Sequence, residues 1–71
     1  MSLLSNFSAN LRTTRQKKKM SQEALAEAAH LSLSYVSSLE RGIRSPPLET
    51  IEQLAGGLKV APLTLLTNPT P

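Results

Sequence analysis

The side chains in this sequence that could do chemistry are mostly cations. Arg12, Arg15, Lys17, Lys18 and Lys19 come before any acid, and Arg41 and Arg44 follow Glu23, Glu27 and Glu40, so two basic clusters bracket the middle of a chain of formal net charge +3. That spacing suits phosphates gripped on either side of an inserted helix, because fixed cations displace the counterions condensed on a polyanion. It equally suits a solvated face that only aids solubility. Catalysis has little to work with. There is no Cys, no Asp and a single His30, which leaves no nucleophile beside a base, no disulfide framework and no metal cluster. The expectation is a binding protein with no enzymatic activity, no cofactor and no metal.

Short helices must position those cations. A chain of 71 residues makes one domain, near the lower size at which a core folds without metal or disulfide. Its 39% hydrophobic residues are mostly Leu and Ala, and its only aromatics are Phe7 and Tyr35, which favours an all-α fold over a β-sandwich. Apolar stretches are only a few residues long, and no charged segment leads into one at the N-terminus. Neither a membrane span nor a secretory signal is expected, and the cytoplasm is the expected location.

The periodicity predicts five helices, over residues 5–17, 21–29, 32–41, 47–57 and 62–67. Leu4, Phe7, Leu11 and Thr14 give the first an apolar stripe. Ser21 and Ser32 each offer a hydroxyl that can accept from a free backbone N–H at a helix start. Glu23 and Glu27 suit the positive end of the second helix. Val36, Leu39 and Ile43 form the expected buried face of the third. Pro46 and Pro47 stop it and pre-set the fourth, whose buried face is Leu48, Ile51, Leu54, Ala55 and Leu58. Gly56 and Gly57 should weaken the last turn by about 1 kcal/mol each relative to Ala. Leu63, Leu65 and Leu66 mark the fifth helix, which the tail Asn68-Pro69-Thr70-Pro71 cannot continue.

The second and third helices, with Ala-rich contact positions and a break of only a few residues, describe a helix-turn-helix over residues 21–41. An ordinary helical hairpin in a small bundle has the same pattern. Four runs go further: Leu11-Arg12-Thr13-Thr14-Arg15, Met20-Ser21-Gln22-Glu23-Ala24-Leu25-Ala26, Val36-Ser37-Ser38-Leu39-Glu40-Arg41-Gly42 and Pro46-Pro47-Leu48-Glu49-Thr50-Ile51. Together they resemble the phage repressor and Cro family of regulators, and among its members the small stand-alone ones such as restriction-modification controller proteins. The resemblance runs from about Phe7 to Leu66 and implies a compact five-helix bundle of the lambda-repressor type.

It also implies sites. Gln22 would bind a phosphate at the start of the second helix, where its amide and the helix N-terminus both present donors. The third helix would turn Leu33, Ser34, Tyr35, Ser37 and Ser38 towards double-stranded DNA, with Ser34 and Ser38 on base edges, Tyr35 and Ser37 on backbone, and Ser32 and Arg41 at its two ends. Leu33, where many relatives carry a polar side chain, could touch a thymine methyl or cover the second helix. Arg44 could read guanine, enter a narrow minor groove, or clamp a phosphate. The third helix has no Asn or Gln for adenine and no Arg before Arg41, so its direct readout should be modest.

Arg15 and Glu40 would pair as scaffold. Lys19, His30 and Lys59 stand where the family has turn glycines, and no chemistry is expected of His30. Glu23 and Glu27 could meet RNA polymerase or serve only as dipole partners. A homodimer is implied, with recognition helices about 34 Å apart on a partly palindromic operator. Its seam would draw on Leu63, Leu65 and Leu66, some of which must be core. No small-molecule ligand is expected. The rival readings are a protein-docking or antitoxin-type module and the DNA-binding domain of a longer regulator, and RNA binding is disfavoured by the lack of an aromatic platform.

Overall fold

In the computed structural model, which describes residues 2–68, α1 spans Leu3–Lys17, α2 Gln22–Ala29, α3 Leu33–Glu40 and α4 Leu48–Leu58. The fifth expected helix is a single 3-10 turn, Pro62–Leu65. Its bonds reach back three residues, from Thr64 N–H to the Ala61 carbonyl at 3.0 Å and from Leu66 N–H to the Leu63 carbonyl at 2.9 Å. Of the tail expected to be non-helical, only Asn68 lies within the described residues.

Serine hydroxyls start the first three helices. Ser2 accepts from Ser5 N–H at 3.0 Å, Ser21 from Ala24 N–H at 3.0 Å and Ser32 from Tyr35 N–H at 3.1 Å. The cap at Ser2 starts α1 two residues ahead of the expected boundary, because a hydroxyl there satisfies a donor that the apolar stripe alone does not reveal.

All four helices end in one way. The first residue past the end of α2 and α4, and the second past the end of α1 and α3, takes positive φ, and its N–H returns to the carbonyl three residues back. The next N–H returns to the carbonyl five back. The positive-φ residues are Lys19 (57°), His30 (61°), Gly42 (72°) and Lys59 (60°). The longer bonds run from Met20 to Arg15 at 3.1 Å, Leu31 to Ala26 at 2.8 Å, Ile43 to Ser38 at 3.1 Å and Val60 to Ala55 at 3.0 Å. This closure satisfies carbonyls that a helix end would otherwise leave free. A side chain at positive φ is sterically disfavoured, so three of these turns hold strain that glycine would not.

The core gathers one stripe from each element: Phe7 and Leu11, then Leu25, Ala26 and Ala29, Val36 and Leu39, Ile51, Leu54, Ala55 and Leu58, and finally Leu65. Two expected core positions are not in it. Ile43 lies beyond the end of α3, where the chain has already turned at Gly42, and Leu48 sits in the first turn of α4; both are exposed. Buried amides fasten the C-terminal turn to α1. Asn10 donates to the carbonyls of Leu65 (3.1 Å) and Thr67 (2.6 Å), and Asn6 donates to the Asn68 side chain at 2.9 Å.

The two adjacent glycines of α4 have different environments. Nothing lies within 4 Å of a Cβ built on Gly56, whereas one on Gly57 meets Ala29 N at 3.2 Å and Ala28 carbonyl carbon at 3.3 Å. Gly57 is where α4 crosses α2 backbone to backbone. Gly56→Ala is therefore expected to raise stability by about 0.5–1 kcal/mol. Gly57→Ala is expected to lower it by about 1–3 kcal/mol, since backbone cannot swing aside as a side chain can. Urea melts of the two variants check the opposite signs, and a stabilising Gly57→Ala would refute the close crossing.

Candidate nucleic-acid interface

The turn from α2 to α3 is set by His30 at positive φ and by the Ser32 cap, which leaves α3 with one face in the core and one open. Val36, Ser38, Leu39 and Glu40 face inward. On the open side, Leu33 is 45% exposed, Ser34 is exposed, and Tyr35 and Ser37 are half-buried. Leu33 therefore does not disappear against α2. Ser38, expected at a base edge, is buried and donates its hydroxyl to the Tyr35 carbonyl at 2.8 Å. Its donor is spent within its own helix, and of the two serines expected on base edges Ser34 is the one exposed to reach outward.

A network from three helices fixes the angle of α3. Arg15 on α1 meets Glu40 on α3 through two parallel bonds, Nε to Oε2 at 2.6 Å and Nη2 to Oε1 at 3.1 Å, and its Nη1 donates to the Met20 carbonyl at 2.9 Å. Gln22 on α2 donates its amide to Glu40 Oε1 at 3.1 Å. The Gln22 side chain is thus partly committed to scaffold. Its amide keeps one N–H, and the first backbone N–H groups of α2 have no partner within the helix. Buried carboxylates are tolerated when donors surround them in this way.

Two open grooves meet along the exposed edge. One, of about 590 Å³, is lined by Ser32, Ser34, Tyr35, Ser38, Arg41, Ile43 and Arg44. The other, of about 420 Å³, brings Arg12 from α1 beside Arg41 and Gly42. Because Arg41 belongs to both, Arg12, Arg41 and Arg44 form a basic strip around the C-terminal end of α3. Lys17, from the same basic cluster in sequence, instead lines a threonine- and asparagine-rich recess with Asn10, Thr13 and Thr64. Arg12, read from the sequence only as one of five cations in the first basic cluster, is the cation of α1 that joins the strip. Its register predicts this: it follows Leu11, which is buried, and lies one helical turn from Ser8, whose hydroxyl bonds the Leu39 carbonyl of α3 at 2.8 Å.

The three leucines proposed for a dimer seam separate. Leu65 is 0% exposed and belongs to the core, Leu66 is half-buried against it, and Leu63 is 68% exposed. Leu65 is thereby removed from the seam. His30 is exposed and Glu23 sits in the first turn of α2. Among the described residues, no group of three His, Asp or Glu could hold a metal ion, and no helix is long and apolar enough to cross a membrane.

Comparison with known proteins agrees with this geometry. Residues 11–65 match the family model described as Helix-turn-helix. The chain is 40% identical over 50 residues to the immunity repressor protein of Bacillus phage phi105, covering 70% of this chain and 35% of that protein. It is 44% identical over 50 residues to control protein C.BamHI of Bacillus amyloliquefaciens, covering 70% of this chain and 62% of that protein. The crystal structure of the restriction-modification controller protein C.AhdI from Aeromonas hydrophila superposes with a TM-score of 0.85 at 42% identity, over 87% of this chain and 94% of that one. The chain matches about a third of the phage repressor's length and less than two thirds of the control protein's.

Proposed function

The chain belongs to the helix-turn-helix family of DNA-binding transcriptional regulators, a family of binding proteins and not of enzymes, and from that premise we propose that it acts as a homodimer on a partly palindromic operator. The observation that carries this reading is the open face of α3 with Arg12, Arg41 and Arg44 gathered around its C-terminal end. Those cations hold phosphates and set the register of α3 in the major groove. Ser34 and Leu33 then meet base edges, while Tyr35 and Ser37 lie against the backbone. Gln22 adds a phosphate contact with its remaining N–H and the free N–H groups of α2.

A seam containing Leu63 and Leu66 sets the two recognition helices about 34 Å apart, one turn of duplex. The chain's likeness to C.AhdI supports a controller of that type, whose occupancy rises with concentration as dimers form. The basic strip argues against a purely protein-docking role.

Selection of bound sequences from a random duplex pool tests the proposal. Enrichment of paired half-sites with centres about 10–10.5 base pairs apart is expected. Affinity is expected to fall by about 10³-fold or more between 50 and 200 mM salt, as counterion release at six or more phosphates requires. A pool that shows no enrichment, or binding indifferent to salt, refutes the DNA-binding reading. Single half-sites refute the dimer.

A further inference from the structure

We infer that Ile43 is a specificity-determining residue, making an apolar contact with the C5-methyl group of a thymine in the major groove; this rests on the DNA-binding reading above. Each helix end has the same closure, and each places an apolar residue directly after the positive-φ residue: Met20, Leu31, Ile43 and Val60. That position ordinarily folds back onto the last turn of the helix. Met20, Leu31 and Val60 are partly buried and pack against the core. Ile43 does not, and stands 63% exposed. The residue it would fold back upon is Ser38, which offers a hydroxyl and no apolar surface. Helix closure therefore accounts for three of the four side chains and leaves Ile43 without a structural task.

Its surroundings supply one. Ile43 lines the groove of about 590 Å³ together with Ser34, Tyr35, Arg41 and Arg44. Cations two residues before it and one residue after it would draw a duplex onto its tip. Its backbone is pinned by the 3.1 Å bond to Ser38 and by Gly42, and a β-branched side chain has few rotamers to lose, so the tip is already ordered before DNA arrives. With no amide on α3 for adenine, the thymine methyl is the base-edge feature that an apolar tip can distinguish, and it is presented only in the major groove.

The test is a cycle of thymine→uracil, which removes that methyl and nothing else, against Ile43→Ala. The probe is the duplex that the native chain selects from a random pool, with each thymine replaced singly by uracil. At one position per half-site, uracil is expected to weaken the native chain about fourfold, the value of one buried methyl, and to leave Ile43→Ala unaffected. An exposed side chain should leave the melting temperature of the variant unchanged. If the native chain tolerates uracil at every position, as a minor-groove wedge or a sugar contact would, the inference is wrong. It is equally wrong if uracil weakens Ile43→Ala to the same extent. Failure of the pool to yield any preferred sequence overturns the DNA-binding reading and this inference together, whereas a preferred sequence indifferent to uracil overturns this inference alone.

Discussion

Replacing Arg15 by Met is expected to destabilise the domain by about 3–5 kcal/mol, because it strands a buried carboxylate. Glu40 has a side chain only 3% exposed and receives two bonds from Arg15 and one from Gln22. Gln22 alone cannot neutralise it. A small domain holds roughly 0.05–0.15 kcal/mol of stability per residue, so the substitution removes much of what this chain has. With about 4–8 °C lost per kcal/mol in a domain of this size, the melting temperature should fall by well over 10 °C. Pairing Arg15→Met with Glu40→Leu is expected to restore most of the loss, since no charge is then left unpaired. Thermal melts of the two single variants and the double variant decide the matter. A single variant that loses less than about 1 kcal/mol would mark the pair as a screened surface contact.

The second large effect concerns Arg44, exposed in the loop after α3 and lining the same groove as Ser34. A bidentate Arg–base contact is worth about 1–3 kcal/mol of discrimination, and a homodimer makes it twice, so Arg44→Ala should cut preference for the selected site by about 30-fold to 10⁴-fold. Arg44→Lys separates the roles, because it keeps the charge and loses the planar fork. Lys should preserve affinity for unrelated duplexes while discrimination falls. If Arg44 is only a phosphate clamp, Arg44→Ala will weaken all duplexes alike and lower the salt slope by about one per contact, with discrimination intact. Competition binding against the selected and scrambled duplexes distinguishes these results.

What the sequence revealed depended on whether a signal was local. The caps at Ser21 and Ser32 were legible because a hydroxyl just before a helix-forming run acts on atoms three residues away. The apolar stripes of α1 and α4 were legible from spacing, apart from Leu48 in the first turn of α4. Ile43 was misread because Val36, Leu39 and Ile43 continue a helical period that the backbone has already left at Gly42, and period alone cannot see a chain reversal.

The interface was harder to read. Whether Ser38 faces in or out depends on how deeply α3 seats, which Arg15, Gln22 and Glu40 set jointly from three helices. The partial commitment of Gln22 to Glu40 could not be seen from either residue's neighbours. Leu63, Leu65 and Leu66 were indistinguishable by composition, and what separates them is how the last turn seats, held in part by amide bonds from Asn10 far back in the chain.

Those amide bonds also bear on how the chain folds. Every helix end is closed by bonds spanning three to five residues, and such contacts form quickly with little loop entropy. The bonds from Asn10 to Leu65 and Thr67 and from Asn6 to Asn68 instead span 55 to 62 residues, almost the whole chain. Seating Leu65 against α1 is therefore the one step that must close a chain-length loop, at an entropy cost that grows only with the logarithm of its length. Helices that are quick to form and a single long closure that locks them put this domain among the low-contact-order folders, where chain collapse and native topology are reached almost together.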